Sequence, residues 1–203
     1  MGVDGEILKS DDRRRMYGLG NRLWHTDASF QDPPGRYSML SAKVIPPVAA
    51  DTEFADTRTA YDALDADIKD KLEGLRVHHS IAHSRQILGF EFSQQEADAL
   101  EGAIHPLVRT FRSGRRALYV ASHASRIVEW PVPEGRLLLR DLTEHATRSE
   151  FVYVHKWKLH DLVMWDNRQT MHRVRRYDQS QPRDMRRATV AGTEPTVQQQ
   201  AAE

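Results

Sequence analysis

The stretch Trp24-His25-Thr26-Asp27 decides how the rest of the chain is read. Side chains alternate along an extended segment, so His25 and Asp27, two residues apart, face the same side. One imidazole nitrogen and one carboxylate oxygen can then reach a single ion from one short piece of chain. A second histidine brought in by the fold would complete a 2-His-1-carboxylate facial triad. Non-heme Fe(II) oxygenases use that ligand set because it leaves positions open for reactants. H-x-D pairs also arise by chance, so the surroundings of this one must decide.

Composition narrows the field. The 203 residues fit one domain with a sizeable core, and 29 basic against 29 acidic side chains give zero net charge. Nothing global therefore points to a nucleic acid or another polyanion. The absence of cysteine excludes disulfides, thiolate zinc sites and a thiol nucleophile, and it suits the reducing cytoplasm where the chain is expected to work. MGVDGEILKSDDRRR has no apolar signal-peptide region, and no apolar run approaches membrane-spanning length. Neither a membrane nor a nucleic acid is expected as a partner.

Outward from the opening stretch, residues 1–20 read as polar and irregular, with Arg13-Arg14-Arg15 as a solvated basic cluster. Tyr37 to Val44 predicts a strand ended by Pro46-Pro47, and Asp51 to Phe54 a short extended piece. Tyr61, Leu64, Ile68 and Leu72 recur at helical spacing and predict one helix over 57–72, with Gly74 closing it. Leu75 to Ser80 reads as extended. Ser93-Gln94-Gln95-Glu96 fits a capping box and opens a short helix. Strands are expected at His105–Arg109 and Ala117–Val120, either side of a Ser113-Gly114 turn. A helix over Glu134–Arg148 should turn Leu138, Leu142 and His145 to one face. Four further strands follow, at Phe151–Trp157, Asp161–Trp165, His172–Tyr177 and Met185–Val190, with Asp166-Asn167-Arg168 as turn chemistry. Many short strands with a few helices predict a mainly β, jelly-roll-like barrel with helical decoration, whose mouth could hold a small ligand. Residues 1–16 are expected as a polar arm, 17–193 as the barrel domain and 194–203 as a flexible tail.

The order of four segments carries more than periodicity. Trp24-His25-Thr26-Asp27, Asp51-Thr52-Glu53-Phe54, His105-Pro106-Leu107-Val108-Arg109 and Trp165-Asp166-Asn167-Arg168-Gln169-Thr170-Met171-His172 occur as they do in the taurine dioxygenase family of Fe(II)/2-oxoglutarate-dependent oxygenases. Within it the chain most resembles the aryloxyalkanoate (2,4-dichlorophenoxyacetate) branch, through Tyr37-Ser38-Met39-Leu40-Ser41-Ala42, Phe54-Ala55-Asp56 and Tyr61-Asp62-Ala63-Leu64. The resemblance implies a double-stranded β-helix. It implies His25, Asp27 and His172 as iron ligands, drawn from 172 − 25 = 147 residues apart. Arg183, 183 − 172 = 11 residues past His172, would bind the distal carboxylate of 2-oxoglutarate with Thr52 beside it. A guanidinium can grip a carboxylate bidentately, which an ammonium cannot. Arg187, on the same face of a strand four residues on, would hold the acidic group of the substrate. Arg173, Arg175, Arg176 and Arg186 read as a solvated basic strand pair. His78, His79, His83, His123, His145, His155 and His160 read as ordinary polar or core residues.

The activity implied is hydroxylation of a small anionic substrate with Fe(II), 2-oxoglutarate and O2. An aryloxyacetate such as 2,4-dichlorophenoxyacetate would yield a phenol and glyoxylate, alongside succinate and CO2. Taurine or an alkylsulfonate is the alternative substrate, and a truncated, non-catalytic cupin-like binding protein the alternative class. A zinc hydrolase on the same three residues lacks an evident general base. Family members carry a substantial segment ahead of H-x-D, whereas only 24 residues, of polar composition, precede His25 here. The chain is thus expected to be an N-terminally shortened member, lacking one wall of the substrate pocket, self-associating as a homo-oligomer and coupling its chemistry poorly.

Overall fold

The period of two fixes what each strand shows to each side. In a computed structural model, which describes residues 7–48, 50–193 and Thr196, strand β1 (Gly35–Val44) lies between β11 (Asp184–Ala191) and β9 (Leu162–Asp166). A second sheet has β2 (Thr52–Asp56) between β10 (Thr170–Val174) and β8 (Val152–His155). Every pairing is antiparallel. On β1, Ser38 and Ala42 are fully buried, and the ladder sets Ser38 between Thr189 and Trp165 and Leu40 opposite Arg187. The intervening Met39 pairs with Met164 on the outer, exposed face. On the other sheet, His172 is opposite Phe54 and Val174 opposite Thr52, while Met171 and Ala55 share the opposite face. The two sheets enclose the cavity described below, as the jelly-roll expectation requires.

Met171 and Ala55 belong to the main apolar core, on the far side of the second sheet from that cavity. With them pack Tyr61, Leu72, Val77, Leu107, Leu118, Ile127, Leu139, Leu142 and Phe151. Several of these come from a third sheet, β4-β3-β7 (Ala103–Pro106, Arg76–His79, Ala124–Ile127), and from the longest helix, Val132–Ala146. A hairpin of Val108–Thr110 with Arg116–Leu118 (β5, β6) turns at Gly114, which has φ +78°.

Local departures from the sequence reading have local causes. The helix predicted over 57–72 is two helices, Thr57–Asp62 and Ala66–Leu72, both sending side chains to the same core. Asp65 begins the second from extended backbone, and the apolar spacing survives the break. Arg13–Gly18 is a helix, not an irregular arm: Asp12 caps it, and Arg13 pairs with Glu96 at 2.9 Å over the Phe90 ring. Helix Val132–Ala146 buries Leu142 as expected, together with Gly135, Leu139 and Ala146, and Leu138 packs half-buried against the same core. His145 instead bonds the Ala60 carbonyl at 2.8 Å. Arg173 and Arg175 are not merely solvated, since both clamp the buried Glu53, at 2.6 and 2.8 Å. The capping box at Ser93/Glu96 is present in full. Residues 1–6 of the expected arm, and the expected tail apart from Thr196, lie outside the described residues. No helix among the described residues is long and apolar enough to cross a membrane.

Candidate metal and cosubstrate site

His25 and His172 meet through their backbones before their rings are considered. His25 N–H donates to the His172 carbonyl at 3.0 Å, and His172 N–H to the His25 carbonyl at 2.7 Å. This two-way bridge sets the ring centroids 4.2 Å apart. Asp27, one alternation on from His25, turns its carboxylate to both: Oδ1 is 3.9 Å from His25 Nε2 and Oδ2 is 3.9 Å from His172 Nε2. One donor atom from each of the three buried residues lies within 4.8 Å of the others. The structure therefore brings together the three residues that the sequence singled out.

The fit of this group to a divalent cation rests on its protons. His25 Nδ1 lies 2.8 Å from the Leu23 carbonyl, which can only accept, so Nδ1 carries the proton and the Nε2 lone pair faces Asp27. His172 Nδ1 is buried without a hydrogen-bond partner among the described residues, so none of them dictates its tautomer. A cation on the Nε2 side would place the proton on Nδ1. Burial holds both imidazoles below their ordinary pKa, His172 far below, and hence neutral and able to ligate. Burial pushes the Asp27 carboxyl up; against it His172 and His25, in so far as they are protonated, the Arg187 guanidinium and the Ser38 hydroxyl keep it below the usual carboxylate range. A neutral, neutral, anionic donor set suits a hard-to-borderline metal such as Fe(II) or Mn(II).

Asp27 is held by a saturated polar shell. Ser38 Oγ donates to Asp27 Oδ2 at 2.7 Å, which commits its one proton. Its lone pairs then accept from Asn167 Nδ2 at 2.8 Å and from Thr189 Oγ1 at 3.1 Å. Asn167 Oδ1 in turn receives the Asp27 N–H at 3.2 Å and the Trp165 indole N–H at 2.9 Å, while the Asn167 carbonyl accepts from Thr26 Oγ1 at 2.6 Å. Asn167 is 1% exposed. A buried amide left unpaired would cost about 1–3 kcal/mol, so this shell fixes both the Asp27 rotamer and the turn that carries Asn167. Sequence reading took Asn167 only as turn chemistry within W-D-N-R and missed its role as the hub.

A cavity of about 250 Å³ opens from His25 and His172. Thr52, Trp165, Arg183, Met185 and Arg187 also line it, so each residue that the resemblance assigned to cosubstrate or substrate faces one space. Arg183 is half-buried, 5.3 Å from the Tyr177 ring centroid, and no acidic side chain among the described residues pairs with it. Burial lowers its pKa, against Tyr177. Arg187 spends one N–H on Asp27 Oδ1 at 2.9 Å, so it braces the carboxylate as well as lining the cavity.

A second group of buried histidines stands apart. The rings of His79, His105 and Tyr119 lie with centroids 5.2–5.4 Å apart, His79 stacked on Tyr119 and His105 edge-on to both; His79 Nδ1 meets Ser29 Oγ at 3.1 Å, and His105 Nε2 donates to the Ser29 carbonyl at 2.8 Å. Burial brings His105 down to about 4. His123, edge-on to His25 at 6.2 Å, is tied through Nδ1 to Ser84 Oγ at 3.0 Å, which also accepts from Arg85 at 2.9 Å.

Comparison with known proteins bears on the whole of this architecture. Residues 3–189 match the family described as "Taurine catabolism dioxygenase TauD, TfdA family". The chain is 52% identical, over 94% of its length, to an alpha-ketoglutarate-dependent 2,4-dichlorophenoxyacetate dioxygenase from Burkholderia sp. (strain RASC). It is 51% identical, over 92% of its length, to the enzyme of that name from Cupriavidus pinatubonensis. It spans 65% and 66% of those two proteins. The crystal structure of AAD-2 in complex with Mn(II) and N-oxalylglycine is 60% identical and superposes with a TM-score of 0.94, covering 97% of this chain and 72% of that one.

Proposed function

Because the chain belongs to the taurine catabolism dioxygenase (TauD, TfdA) family, we propose that it is an Fe(II)- and 2-oxoglutarate-dependent dioxygenase acting on a small anionic substrate, an aryloxyalkanoate such as 2,4-dichlorophenoxyacetate. One observation carries the reading: a buried His25–Asp27–His172 group opens on the same cavity as Arg183, a guanidinium without an acidic partner among the described residues. A cation at the first and a dicarboxylate spanning to the second would satisfy both. The likeness to AAD-2, a protein crystallised with Mn(II) and N-oxalylglycine, supports this assignment, and the two curated relatives support the substrate class.

In this reading His25 and His172 hold the metal through Nε2 and Asp27 through its carboxylate. Arg183 and Thr52 fix the distal carboxylate of 2-oxoglutarate. Arg187 braces Asp27 and offers its outer N–H groups to the acidic group of the substrate. The bound iron supplies the redox chemistry that turns 2-oxoglutarate, O2 and a C–H bond into succinate, CO2 and a C–OH group. The chain contributes position: it orients the cosubstrate, presents the ether-bearing carbon and keeps both imidazoles neutral. Hydroxylation at that carbon makes a hemiacetal, which releases the phenol and leaves glyoxylate. Iron kept in the ferrous state fits a cytoplasmic setting. Tyr153, Leu159, Leu162 and Met164, each more than half exposed on or between the edge strands β8 and β9, support self-association into a homo-oligomer.

Anaerobic titration with Fe(II) and 2-oxoglutarate tests the reading. A visible charge-transfer band should grow to one equivalent and shift on adding 2,4-dichlorophenoxyacetate. In Arg183→Ala the 2-oxoglutarate requirement should rise about 100-fold. No band with the intact chain rejects the function; a shift with taurine and none with the aryloxyacetate reassigns the substrate.

A further inference from the structure

Thr52 is 2% exposed, paired in ladders with both His155 and Val174, and its hydroxyl has one hydrogen-bond partner among the described residues. That partner is Trp157, whose indole Nε1–H donates to Thr52 Oγ1 at 2.9 Å. An indole N–H only donates. The hydroxyl proton of Thr52 therefore cannot point at Trp157, and it is left for an acceptor on the cavity side, where Arg183 also faces.

Trp157 is built to stay there. It lies just beyond the end of β8, 6% exposed, with the His155 ring edge-on at 4.5 Å. The loop that carries it is tied down on both flanks. Asp161 Oδ2 accepts from Lys158 N–H at 2.8 Å and meets His155 Nε2 at 3.0 Å. On the β1 side, His160 N–H donates to the Ala42 carbonyl at 3.0 Å and Ala42 N–H to the Asp161 carbonyl at 2.9 Å. The indole is thus referenced to both sheets at once.

We infer that Trp157 is a positioning residue for the cosubstrate: by occupying the acceptor side of Thr52 Oγ1 it turns the hydroxyl into a fixed donor beside Arg183, selecting a ligand group that only accepts, a carboxylate. This rests on the reading of the cavity as the 2-oxoglutarate site. Removing the indole N–H frees the hydroxyl to rotate, so that part of the ordering cost falls on the ligand instead.

A double-mutant cycle read by calorimetry of 2-oxoglutarate binding to the Mn(II)-loaded protein tests it without turnover. Thr52→Val should weaken binding about 10-fold and Trp157→Phe about 5-fold, while Trp157→Phe in the Thr52→Val background should cost less than about 2-fold. Equal cost in both backgrounds, or no cost in the intact chain, overturns the inference. A second measurement needs no change at Trp157. In Zn(II)-loaded protein with 15N-labelled indoles, the Trp157 N–H resonance should move on 2-oxoglutarate addition, and should lose that response in Thr52→Val; an unresponsive resonance in the intact chain overturns the inference as well. Failure of the intact chain to bind 2-oxoglutarate would instead remove the functional reading and this inference with it. Binding that is intact but uncoupled from Trp157 removes the positioning role alone.

Discussion

Two groups of buried histidines sit in one small fold, and they are built for opposite ends. His25 and His172 share a carboxylate, turn their Nε2 atoms towards it and open on a cavity. His79 and His105 pair with no carboxylate among the described residues; His79 stacks on Tyr119, His105 meets that ring edge-on, and their hydrogen bonds go to Ser29 and Thr196. Both groups are neutral because of burial. What separates them is convergence on an anion, and the same element could not serve both purposes. Capping alone does not tell the groups apart, since His79 Nε2 and His172 Nδ1 are both buried without a hydrogen-bond partner among the described residues; the point on which the nitrogens converge does.

The sharpest way to break this comparison is to remove one histidine from each group. His172→Ala should abolish stoichiometric Mn(II) binding, measured by equilibrium dialysis. His79→Phe should leave one Mn(II) per chain while costing about 1–3 kcal/mol of unfolding free energy in urea titration. Equal metal occupancy in the two variants would erase the distinction.

A smaller effect is expected one shell out. Asn167→Ala leaves all three ligands in place but removes the amide that holds both Ser38 and the Asp27 backbone. Metal affinity should fall about 10- to 100-fold, measured by competition with a chromophoric chelator. Ser29→Ala, which touches only the second group, should leave it unchanged. An unaltered affinity in Asn167→Ala would mean that the shell serves packing alone.

The gentlest probe is pH. His105 has its folded pKa lowered from 6.5 to about 4, so the unfolded chain takes up the proton first as pH falls. Its contribution to stability is present in full above about pH 6.5 and drains away as pH drops towards 4. Within that window the slope approaches ~1.4 kcal/mol per pH unit for this residue. His79 and His123 shift in the same direction. Urea midpoints should therefore fall between pH 7 and pH 5, and His105→Phe should flatten the fall; an equally steep fall in that variant would take His105 out of the account.

Much of this architecture was legible because the informative residues obey short periods. Tyr37 to Val44 alternates, and H-x-D needs only that alternation to aim two ligands together. The Ser93/Glu96 capping box is a local contract that the rest of the fold cannot overrule. Illegible elements bury the wrong kind of residue. The helix Ile81–Gln86 hides Ser84 and Arg85, so its sequence shows no apolar stripe, and the strand Ala124–Ile127 offers Ala-Ser-Arg-Ile, with little to mark it. Asn167 reads as a turn residue because two of its side chain's partners, Ser38 and Asp27, lie more than a hundred positions away. Trp157 was placed at the end of a strand, yet nothing local foretells that its indole reaches Thr52.

The backbone bridge between His25 and His172 also dates the site within the life of the chain. It closes a loop of 172 − 25 = 147 residues out of 203, and so long a closure is entropically costly until other contacts hold the two pieces near each other. The ion-binding geometry thus needs both pieces docked, and an ion captured there lends its binding free energy to the states in which they are.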